Sequence, residues 1–133
     1  MKFYIDENIA PQIGRALSIL QKPLPEKVEV LTIRDEYGKG ASDEEWIPEV
    51  GKENGIVITQ DLNIQRIKQQ RDLYRKYKLG VVFLKPPSKN GFSYWDMVTK
   101  IIESWPFIKK IAKKEKKPFA YVIRSRSKRL ESL

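Results

Sequence analysis

Apolar residues along the chain alternate between short β-branched runs and longer stretches with helical spacing. FYI at 3–5 predicts a short buried strand, followed by a helix from Pro11, a residue suited to a first helical turn, to Leu20. QKPLPEK breaks that helix. VEVLTI at 28–33 alternates as a strand, and RDEYGKGAS reads as a loop. Ser42 with Glu45 three residues on is a capping-box signature, so a helix is expected to begin at Asp43, either kinked by Pro48 or becoming regular only there.

IVIT at 56–59 predicts a third strand, 64–78 a basic helix with Ile67, Tyr74 and Tyr77 on one face, and GVVFL at 80–84 a fourth strand ended by Pro86 and Pro87. Ser93 and Asp96 mark another cap, opening a helix through Trp95, Met97, Val98, Ile101 and Ile102 that Pro106 is expected to kink or divide. FAYVI at 119–123 reads as a last, edge strand, with a frayed tail at 125–133. Strands alternating with helices predict an α/β fold in which helices cover both faces of a mostly parallel sheet.

One domain spanning 1–133 is expected, since the 41% hydrophobic fraction suffices for one core. The chain has no Cys and no His, which excludes disulfides, thiolate nucleophiles, Cys-ligated zinc and the commonest general base. Chemistry then falls to carboxylates, hydroxyls, Lys, Tyr or a hard metal ion. No run approaches the roughly 20 apolar residues that span a bilayer, and the opening segment lacks the features of a signal peptide. The expectation is a cytoplasmic protein without membrane contact.

The +9 formal charge is unevenly spread. Residues 1–61 carry 7 Lys/Arg against 12 Asp/Glu, net −5, and residues 62–133 carry 19 against 5, net +14. An acidic half is joined to a basic half suited to a polyanion.

Ligand crevices of parallel sheets lie at the carboxyl ends of strands, near a topological switch point. Asp6 and Asp61 both stand at strand exits, and Asp43 or Glu44 at a helix start. Converging carboxylates repel one another unless a cation neutralises them, and oxygen ligands without imidazole or thiolate favour Mg²⁺ or Mn²⁺. Taken singly, each acid also suits a turn or a helix N-terminus. A phosphoacceptor receiver domain shares acids after the first and third strands and a later Lys-Pro, here Lys85-Pro86. Only 24 residues separate Asp61 from Lys85, however, room for one helix and one strand where the receiver plan needs two such units.

The ordered set FYIDEN, VEVLTIRDEYGKGASDEEWI and GIVITQDLNI, over about residues 2–85, resembles the PIN-like ribonuclease domains of VapC-type toxins. The resemblance implies a three-layer α/β/α fold and a ring of acids that binds Mg²⁺ or Mn²⁺ and cleaves RNA. It implies also a cognate antitoxin partner. It places the family acids on Asp6, Asp43 with Glu44 as neighbour, and Asp61. Asn63 stands where a further acid is often found, which leaves open a catalytically weak or inactive module that binds nucleic acid or a protein.

Thr59 is a candidate to hydrogen-bond substrate or a ligand water, or to pack into the sheet. Arg66, Lys68, Arg71 and Arg75 on the basic helix are candidates to grip RNA phosphates, or form a solvated face. Trp46 and Trp95, beside apolar residues near helix starts, read as core anchors rather than base-stacking platforms; Trp105 could serve either way. The basic tail could bind RNA or lie along an acidic antitoxin segment, and self-association is open.

Overall fold

The computed structural model describes residues 1–60, 64–127 and 130–132, and for residues 64–69 the backbone alone. In chain order it has β1 (Lys2–Ile5), α1 (Pro11–Gln21), β2 (Glu29–Thr32), α2 (Ile33–Tyr37), α3 (Asp43–Lys52), β3 (Ile56–Gln60), α4 (Ile64–Lys76), β4 (Gly80–Lys85), α5 (Tyr94–Lys114), β5 (Phe119–Arg124) and β6 (Leu130–Ser132). The six strands form one sheet in the order β2-β1-β3-β4-β5-β6, parallel except for β6, which runs antiparallel to β5. This is the expected α/β architecture.

The period-2 geometry of each strand separates two cores. Phe3, Ile5, Ile56, Ile58, Val82 and Leu84 face α1 and α5, whose Ile13, Leu17, Met97, Ile101 and Ile108 complete one cluster. Tyr4, Val57, Val81 and Phe83 face the other way, against Ile33 of α2, Trp46, Ile47 and Val50 of α3, and Tyr74 of α4. Gly14 lets α1 lie close to the sheet, because a Cβ there would come 2.7 Å from Thr32 Cγ2. From the connection after α1, Glu26 accepts from Lys109 of α5 at 2.7 Å and Lys113 at 3.0 Å, which pushes its carboxyl down to about 2.

Several boundaries differ from the sequence reading. The expected loop after β2 begins as α2, because Thr32 Oγ1 accepts from Asp35 N at 3.1 Å and caps a helical turn. Ser42 is the N-cap of α3 but makes no side-chain cap bond, so the capping box is not formed. Pro48 lies inside α3 and Pro106 inside α5, and neither divides its helix. Buried residues on both sides of each proline, Trp46, Ile47 and Val50 in the first and Trp105 and Ile108 in the second, hold the flanking turns to the sheet. β5 is not an edge strand, since β6 forms from the tail expected to fray.

Trp46 is buried at 1% exposure, as expected of a core anchor, and Trp105 is buried also. Trp95 is the reverse, 73% exposed. At 100° per residue the buried stripe Met97, Ile101, Trp105, Ile108 faces the sheet, and a side chain two positions before Met97 lies about 200° round the helix from it. Among the described residues, no helix is long and apolar enough to cross a membrane.

Candidate active site

From β1 the chain passes to β2 on one side, while β3 pairs with β1 on the other. The carboxyl ends of β1 and β3 therefore form the switch point where such sheets open a crevice. Asp6 follows the last residue of β1, and its backbone N–H donates to Ile58 O at 2.9 Å, extending the ladder to the sheet's rim. Its side chain is 5% exposed. Oδ1 accepts from the Glu7 backbone N–H at 2.7 Å, and Oδ2 accepts from Thr59 Oγ1 at 2.7 Å. A buried carboxylate is costly without such donors. Thr59, itself buried, thus serves Asp6 directly.

The next two residues each reach a different element. The Glu7 carboxylate accepts from the Gly40 backbone N–H, at 2.9 Å to Oε1 and 3.1 Å to Oε2, pinning the loop that leads into α3. Gly40 has φ +76°, a conformation that glycine adopts without steric cost. Asn8 fastens the end of β3: its Oδ1 accepts from Gln60 N at 3.1 Å, and its Nδ2 donates to Thr59 Oγ1 at 3.1 Å and to Gln60 O. Gln60 returns a bond from Nε2 to Asn8 O at 3.2 Å and accepts from Phe92 N at 2.9 Å. Glu7, Asn8 and Gln60 had no predicted role. Glu7 and Asn8 carried a local signal, standing with Asp6 as three polar residues in a row after a buried strand, whereas Gln60, the last residue of β3, carried none.

Replacing Asn8 with alanine strips Gln60 N–H and Thr59 Oγ1 of a partner at once. The expected result is a loss of about 1–3 kcal/mol, the cost of leaving such groups unsatisfied, read from urea unfolding. An unchanged midpoint would show that water replaces these bonds freely.

Asp43 opens α3, where its charge complements the helix dipole, and its Oδ2 accepts from Gln70 Nε2 of α4 at 3.1 Å. Glu44 beside it is exposed. Asp61 and Asn63 lie outside the described residues, as do the side chains of Arg66 and Lys68. Among the described residues, no group of three or more acids stands close enough to hold a metal ion. Arg71 and Arg75 line a cleft of about 240 Å³ with Tyr74, Leu79, Phe119 and Tyr121, beside the amino ends of β4 and β5. The structure thus places these two arginines toward the pole opposite Asp6.

Comparison with protein families gives a match to the PIN like domain over residues 1–86. Comparison with curated proteins and with solved structures gives no significant match.

Proposed function

Because the chain belongs to the PIN-like domain family, whose members are generally nucleases, we propose that it is a metal-dependent endoribonuclease, the toxin of a toxin–antitoxin pair. The observation that carries this reading is the Asp6 carboxylate, buried at the switch point and held in one orientation by Thr59 and the Glu7 backbone. Asp6 and Asp43 supply hard oxygen donors in a chain without His or Cys, a donor set that fits Mg²⁺ or Mn²⁺. Asp6, Asp43 and Asp61 are the residues that would hold the ion. When bound, it would lower the pKa of a water and offset charge on the phosphate under attack.

The chain's own contribution is placement and attraction. Thr59 fixes the Asp6 carboxylate, Glu7 fixes the approach to Asp43, and Asn8 fixes the exit of β3 from which the chain runs to Asp61. The +14 charge on residues 62–133 draws a polyanionic strand toward the molecule and raises its encounter rate at low salt. A cognate antitoxin would act by covering the crevice.

The test is incubation of the purified chain with RNA in Mn²⁺ or Mg²⁺ and in EDTA. Discrete cleavage with the ion and none with the chelator is expected, together with growth arrest when the chain is expressed alone. Undiminished cleavage in EDTA would overturn the metal requirement, and normal growth would overturn the toxin assignment. RNA that stays uncut in manganese but binds with steep salt dependence would identify a non-catalytic binding module.

A further inference from the structure

Beyond residue 86, where the family match ends, the chain carries an exposed aromatic pair. Trp95 is 73% and Tyr94 48% exposed, and their rings meet at 5.4 Å with planes at 86°. Both belong to the first turn of α5, whose start is set by Ser93 Oγ accepting from Asp96 N at 3.3 Å. The connection that delivers them leaves the carboxyl end of β4, so the pair stands at the same pole as Asp6. Hydrogen bonds join the two places: Phe92 N–H donates to Gln60 Oε1, and Gln60 is tied to Asn8, two residues from Asp6.

Cations share this pole. Lys85, Arg124 and Arg126 line a hollow with Pro86 and Pro87, and Arg124 is offset by Glu131 at 3.4 Å. Arg126 also borders an adjoining hollow with Phe92 and Thr99. Thr99 stands one helical turn from Trp95, whose carbonyl accepts from its hydroxyl at 2.9 Å. Asp96 and Glu103 make that second hollow partly acidic, leaving Lys85 and Arg126 as the phosphate-seeking side.

We propose that Trp95, braced by Tyr94, is a stacking platform for a base of single-stranded RNA, with Lys85 and Arg126 on neighbouring phosphates. This rests on the nuclease reading, and the strand so held is the one presented to Asp6. Rings at 86° cannot both stack on one base, so the indole takes the base and the phenol supports it. Indole faces receive any base, and arginine and lysine follow the backbone. Ile102, two helical turns on along the same face of α5, is also exposed, but the residues leading into the pair, Ser88, Lys89, Asn90 and Ser93, are exposed and polar, and Lys85 and Arg126 at the same pole suit phosphates rather than an apolar partner.

Fluorescence anisotropy with a labelled single strand of about 12 nucleotides, in EDTA so that nothing is cut, tests the proposal. Trp95→Ala is expected to weaken binding about tenfold while Trp95→Phe recovers most of it, with duplex RNA of the same sequence unaffected by either change. Thermal melting of Trp95→Ala should match the parent, because the side chain is exposed. Equal single-strand affinity in Trp95→Ala and parent would overturn the platform, as would equal losses on single strand and duplex. Binding is read without the cation, so failure of cleavage in the parent and failure of the platform are separate results.

Discussion

Replacing Asp6 with asparagine is expected to abolish RNA cleavage while leaving the fold intact. Asparagine keeps an oxygen that can accept from the Glu7 N–H, and its amide can donate to Thr59 Oγ1, which has a second lone pair beyond the one taken by Asn8. These two hydrogen bonds survive, one of them with its donor reversed. What disappears is that side chain's negative charge, and with it the share it would contribute to holding the proposed divalent cation. Loss of a single preorganised electrostatic group commonly costs about 10²–10³-fold in rate, and a carboxylate expected to hold the ion sets at least that scale. Cleavage in Mn²⁺ followed by gel, alongside the far-ultraviolet spectrum and melting temperature, separates charge loss from unfolding. A folded Asp6→Asn variant with full activity would remove Asp6 from the chemistry.

Trp46→Ala carries the largest expected change in stability. The indole is 1% exposed in the cluster under α3, with the Tyr74 ring centroid 6.4 Å away and Ile47 and Val50 fully buried beside it. Removing it leaves a cavity that helix and sheet cannot close by simple sliding, because α3 is also fastened through Asp43 to Gln70 of α4. A loss of about 3–5 kcal/mol is expected, measured by urea or thermal unfolding, with Trp46→Phe losing much less. Because Trp46 lies one turn beyond Asp43, loosening it also frees the first turn of α3, and the cation dependence of cleavage should shift to higher Mn²⁺ concentrations. A loss below about 1 kcal/mol would mean that the site collapses around the deletion and that α3 is held by other contacts.

The strand positions were legible because a buried parallel strand needs an unbroken run of β-branched and aromatic residues, and IVIT or GVVFL satisfies nothing else of that length. Caps were less legible. Ser93 caps α5 through its side chain, whereas Ser42, with the same local pattern, does not. The exposure of Trp95 is not legible in the sequence, because apolar neighbours point to different sides of a helix and only the sheet decides which side is inside. The strand at 130–132 is not legible in the sequence either, because its pairing with β5 depends on a strand edge offered by the rest of the fold.

The sequence alone determined the acid-bearing strand exits and the charge asymmetry, which follow from composition or a short local pattern, and it carried the PIN-like plan through the resemblance of its first two thirds to that family. Which residue serves which part of the site was decided only by tertiary structure. Asp6, Glu7 and Asn8 are adjacent in the chain and all polar, yet one meets Thr59, one Gly40 and one Gln60. Those partners lie 33 or more residues away in sequence. A polar side chain takes its role from the donors and acceptors that folding brings within about 3 Å of it, and sequence neighbours do not specify these.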